Sequence, residues 1–168
     1  MPSTYTLIAS NTLGASAASV TFSSIPSTYT DLVVRWSVRS DRSANSFDDI
    51  YMTFNSGTIS QTFVGGNGAS TLTGNGNGSV LANTATAASA TSNTFSSGEL
   101  YIPNYAGSTN KPASFFSAAE TNATTAYLYG IAILRSNTAA ISSIALNPYN
   151  GTNFVSGSSF YLYGIKNS

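Results

Sequence analysis

Two carboxylates are spaced so that they could do acid and base work together. Glu99 and Glu120 lie in strand-like segments, GELYIP and ASFFSAAE, on either side of the loop PNYAGSTNKPA. A hairpin centred near Thr109 and Asn110 sets them directly opposite each other, where Cβ atoms sit roughly 4.5–5.5 Å apart. A retaining glycosidase holds its carboxyl groups about 5–5.5 Å apart, so this pair is the chain's one arrangement with catalytic geometry. Two considerations weigh against it. Like charges directly opposed weaken a sheet, and a one-residue slip sends either side chain to the other face.

A second group is denser. The stretch DLVVRWSVRSDRSANSFDD holds Asp31, Arg35, Arg39, Asp41, Arg42, Asp48 and Asp49, most of the charges in the chain. The oxygens of Asp41, Asp48 and Asp49 are of the kind that holds calcium, but their spacing lacks the alternation and closing glutamate of an EF-hand loop. A solvated turn with local ion pairs is therefore the expected role of these acids. Arg35 and Arg39 share the outer face of one strand, with Arg42 just beyond, and a planar guanidinium binds carboxylates of another protein bidentately. Pairing within the chain is the equal alternative, since surface ion pairs are common and individually weak. The residues expected at a protein interface are Arg35, Arg39, Arg42, Asp48 and Asp49, with Tyr5 of the N-terminal segment and Asn75 and Asn77 of a glycine-rich loop.

Most other chemistry is missing from the composition. Charged residues make up 7% of the 168 residues, six acids balance six bases, and there is no histidine and no cysteine. Imidazole bases, thiolate nucleophiles, structural zinc and disulfides are thereby excluded, no catalytic residue set or cofactor is expected, and the chain reads as non-enzymatic. No polybasic footprint for nucleic acid is present, and no segment approaches the roughly 20 apolar residues that span a bilayer. The opening MPSTYTLIAS lacks a basic and apolar leader, so the mature chain is expected to begin near Met1. Tyr127, Tyr129, Tyr161 and Tyr163 alternate in apolar runs, and tyrosine beside asparagine also builds sugar-binding faces, which keeps a carbohydrate-binding module as a minority reading.

The elements that carry these residues are strands. In TDLVVRWSVRS the apolar side chains Leu32, Val34, Trp36 and Val38 fall on one face, and DIYMTFN places Ile50, Met52 and Phe54 likewise. TYTLIAS, SVTFSSI, GELYIP, ASFFSAAE, AYLYGIAILR, ISSIALN and SSFYLYGIK continue the period-two pattern, and none shows a helical stripe. The expected fold is all-β: a two-sheet antiparallel sandwich, jelly-roll-like, in one domain spanning residues 1–168. Residues 64–94 break the pattern with small side chains, and are expected to be a low-complexity loop or arm that buries too little apolar surface to order itself. Their Gly-Asn repeats make no phosphate loop, because no Lys-Ser/Thr pair follows.

The pentapeptide YLYGI occurs twice, at Tyr127 to Ile131 and at Tyr161 to Ile165, and each glycine permits a bend or a close backbone approach. The ending SSFYLYGIKNS, the segment SIPSTYTDLVVRWSVRS and the opening TYTLIASNTLGASAASVTF resemble small virion proteins of tailed bacteriophages, including cyanophages. The resemblance covers about the first 40 and last 15 residues and rests on framework strands, so it carries no site residues with it. It implies a β-sandwich attached to the outer capsid surface as a cement or decoration protein, or a module on the tail that binds a receptor. The partners it implies are the major capsid protein and further copies of the chain, with a homotrimer expected from capsid lattice symmetry.

Overall fold

Alternating apolar residues need two sheets to bury one face of each. A computed structural model describes residues 4–120 and 126–166, with the side chains of Asn77, Ala82 and Asn83 also outside the description. Twelve strands are seen among the described residues: β1 (Tyr5–Thr12), β2 (Val20–Phe22), β3 (Asp31–Val38), β4 (Phe47–Phe54), β5 (Ser60–Gly66), β6 (Thr71–Asn77), β7 (Val80–Thr86), β8 (Ser96–Ile102), β9 (Lys111–Glu120), β10 (Ala126–Arg135), β11 (Ile144–Pro148) and β12 (Ser159–Ile165). They form an eight-stranded sheet, ordered β1-β12-β3-β8-β9-β10-β5-β6, and a four-stranded sheet, ordered β2-β11-β4-β7.

The pairing is nested, which gives the architecture its class. β1 pairs with β12, β2 with β11, β3 with β8 and β4 with β7, all antiparallel, and successive strands of each half alternate between the sheets. β12 then lies between β1 and β3, and β11 between β2 and β4. That arrangement of eight strands is a jelly roll. The hairpins β5–β6 and β9–β10 interrupt it and add to the free side of β8, widening the larger sheet.

The core is the apolar layer between the sheets. Leu32, Val34, Trp36 and Val38 of β3 face Ile50, Met52 and Phe54 of β4 across it, all buried as their alternation predicts. Trp36 stacks on Phe115 at 4.9 Å between ring centroids, and Phe154 meets Phe160 edge-on at 5.1 Å. Such pairs add about 0.5–1.5 kcal/mol each beyond their burial.

Residues 64–94 depart from the loop expected of them. They hold β6 and β7, and β7 is a framework strand of the jelly roll whose Leu81, Thr84, Ala85 and Thr86 are buried. Small residues order here because neighbouring elements supply the large side chains. At Gly65 a Cβ would lie 2.5 Å from the Tyr129 ring, so glycine is what lets that ring lie flat on the strand. The segment's own apolar content was the wrong measure, since burial is shared across the contact.

Candidate functional site

With one face of each strand committed to the core, the alternate residues of the larger sheet point outward. One register line crosses it as Tyr161, Arg35, Glu99, Phe116, Gly130, Val64 and Thr73. The middle of this face is apolar and open: Phe116 is 63% exposed, Leu128 61% and Val64 59%. Around them stand small side chains, Ala118 and Ala132 among them, and the Phe116 ring lies over Gly130. Shallow depressions flank Phe116 on both sides, one toward Asn75 and Thr73, the other toward Gly66 and Ala126. Contiguous exposed apolar surface of this kind marks interaction sites.

Toward β1 the same face turns aromatic and charged. Arg35 Nε donates to Glu99 Oε2 at 2.6 Å, both side chains being about half exposed. The guanidinium lies 6.0 Å from the Tyr5 ring centre, Tyr5 meets Tyr163 edge-on at 6.4 Å, and Tyr163 stacks with Tyr161. Of the arginines expected at an interface, Arg35 is the one on this face, and it already has a carboxylate partner.

The rest of the charge cluster is engaged within the chain, the intramolecular one of its two alternatives, and the burial of Arg39 and Asp48 corrects their reading as outward interface residues. Arg39 is buried, and its two terminal nitrogens donate to the carbonyls of Thr91, Thr94, Ala88 and Ala90 at 2.8–3.1 Å. Burial lowers its pKa, and the Glu120 carboxylate partly counters that. Asp48 is fully buried and accepts from the amides of Asp49, Asn150 and Gly151 and from Asn150 Nδ2. Asn150 Nδ2 also donates to Asp49 at 3.2 Å. Asp41 accepts from the amides of Thr152 and Asn153 and from Asn153 Nδ2. Burial raises the Asp41 pKa, but these hydrogen bonds outweigh it and hold the carboxyl below its usual range. Arg42 donates to the Phe47 carbonyl at 3.2 Å and stands 3.9 Å from Asp48. Among the described residues, no three acidic groups converge in a way that could hold a metal ion.

The two glutamates are not opposed. β8 and β9 do form the expected hairpin, but Glu99 pairs with Phe116, four residues short of Glu120. At about 3.3 Å per residue the carboxylates stand roughly 13 Å apart along the strands, well outside the spacing of a retaining pair. The hairpin is set by what holds its loop. Asp31 accepts from Tyr101 Oη and the Asn104 amide, while the buried Lys111 Nζ donates to the carbonyls of Gly107, Thr109 and Thr138. Glu120 instead accepts from the Thr91 amide and hydroxyl and the Thr94 hydroxyl, gripping from the other side the turn that Arg39 holds.

Asn75 lies exposed on β6 at the rim of the apolar strip, and Asn77 ends that strand with its side chain outside the described residues. The apolar strip itself was not among the expected site residues. A signal was present: AYLYGIAILR is apolar on both faces, which in an antiparallel sheet means that the outward face is sticky or covered. Comparison with protein-family models, curated proteins and solved structures gives no significant match.

Proposed function

We propose that the protein is a non-enzymatic structural component of a phage virion, of the cement or decoration type, docking on the outer capsid surface through the apolar strip of its larger sheet. One observation carries this: Phe116, Leu128 and Val64 stand exposed together, while most charged side chains are engaged within the chain. A broad rigid face with no free acid–base pair suits adhesion rather than turnover. Many weak contacts of this kind become firm when repeated over a lattice. The resemblance of the framework segments to small virion proteins supports the location, with the major capsid protein as partner.

The test is made on particles. The protein is expected to co-purify with DNA-filled heads, and heads lacking it to release DNA at lower temperature; unchanged head stability overturns the reading. The paired change Phe116→Ser and Leu128→Ser should abolish binding to heads, yet shift folding stability by no more than about 0.5 kcal/mol per site, because both side chains are exposed. A second reading, a saccharide- or receptor-binding tail module, draws on the tyrosine band of Tyr5, Tyr161 and Tyr163 beside Arg35. Binding of the purified protein to a glycan array and a tail position in micrographs would select it.

A further inference from the structure

The two edges of the larger sheet are not alike. At one edge β1 carries a register break between Leu7 and Ala9, a bulge that twists an edge away from partners. The other edge is β6, which runs in unbroken register with β5 over all seven of its residues. Proteins blunt such edges with charge, proline, bulges or a covering element. β6 has no charge, proline or bulge, and no charged residue occurs anywhere between Asp49 and Glu99.

We propose that β6 is a pairing edge along which two copies of this chain join, antiparallel about a two-fold axis at Gly74. The sequence TLTGNGN is complementary to itself in that register. Thr73 of one copy stands opposite Asn75 of the other on the outer face, hydroxyl against amide. On the opposite face Leu72, 43% exposed, stands opposite Gly76, whose missing side chain leaves room for it. A neutral strand meets its own copy without like-charge repulsion, and the contact is isologous, so it closes at two copies. Main-chain hydrogen bonds across the axis then continue one sheet into the next, and the two apolar strips fall on one continuous outer face. This pairing does not depend on what that face binds.

Sedimentation of the purified chain over a wide concentration range reads the outcome. A reversible dimer is expected, and T73K/N75K, which gathers four lysines at the axis on exposed positions, should weaken it about 100-fold or more while leaving unchanged the melting curve taken at concentrations where both proteins are monomeric. L7K on the opposite edge should leave it intact. Because the chain has no cysteine, T73C and N75C chains mixed and oxidised should give a cross-linked dimer that neither gives alone. A wild-type monomer at all concentrations, a trimer or ring, a dimer lost in L7K but kept in T73K/N75K, or no cross-link in the mixture would each overturn the proposal.

Discussion

At the scale of single residues, the charged side chains bind this chain's own turns more than they face outward. Arg39 stands about fifty residues from the carbonyls it binds, and Asp41 over a hundred from the amides it accepts. The clustering of charge between Asp31 and Asp49 was plain in the sequence. The turns that return to meet it were not, because long-range closure leaves no local pattern. The geometry makes Arg39→Lys a sharp probe: an ammonium is a point charge that cannot span the acceptors a planar fork reaches, and carbonyls of the turn, the buried one of Ala90 among them, lose their donors. Denaturant titration should show a loss of about 1.5–3 kcal/mol, the range for hydrogen bonds to charged groups. Asp41 tests the same idea through pH. Its pKa is lowered on folding from an ordinary value of 3.8, so the unfolded chain binds the proton more tightly. Its stabilisation is therefore full above that ordinary value and is lost as pH falls through the lower folded one. Protection of the Thr152 and Asn153 amides, taken relative to the intrinsic exchange rate at each pH, should fall selectively at low pH in the native protein, and Asp41→Asn should show the reduced protection already at neutral pH.

At the scale of elements, the strands were legible and their orientation only in part. The two copies of YLYGI make the point. In β10 the tyrosines Tyr127 and Tyr129 turn inward, whereas in β12 Tyr161 and Tyr163 turn outward and Leu162 is buried. The identical pentapeptide is oriented by its neighbours: Ile131 and Ile133 extend the inward set in β10, while Phe160 fixes the opposite phase in β12. Register is a property of the whole strand, so a local repeat cannot specify it. The misplacement of Glu120 opposite Glu99 has the same origin, since the loop's length was visible and the side chains that anchor it were not. Close packing at the centre of the larger sheet offers a test of β8. A methyl added at Gly98 would lie 2.5 Å from the Trp36 indole, which is itself pinned against Phe115. Gly98→Ala should cost about 1–3 kcal/mol as overpacking, measured by thermal or denaturant unfolding, despite alanine's better backbone propensity.

At the scale of the whole molecule, the distribution of charge separates two ways of binding. Were the arginines the contact, complex formation would weaken as salt screens it, since the Debye length falls from about 30 Å at 0.01 M to about 3 Å at 1 M. Most charges are instead engaged within the chain, and β5 and β6 contribute none to the widened sheet. Burial of Phe116, Leu128 and Val64 is governed by exclusion of water, which simple salt leaves nearly unchanged and which sulfate strengthens. Retention on purified heads should therefore hold steady from about 0.05 to 1 M sodium chloride and increase in ammonium sulfate. Release at moderate sodium chloride would transfer the contact to Arg35 and its neighbours, the side of the face nearest β1. β9 and β10 add a wing to the sheet beyond β8, on which Phe116 and Leu128 lie within the strands while the charged Lys111, Glu120 and Arg135 stand at the strand ends. Both faces of this wing are apolar, one covered by the smaller sheet and one open, and the open one is the face through which the proposed docking would draw its free energy.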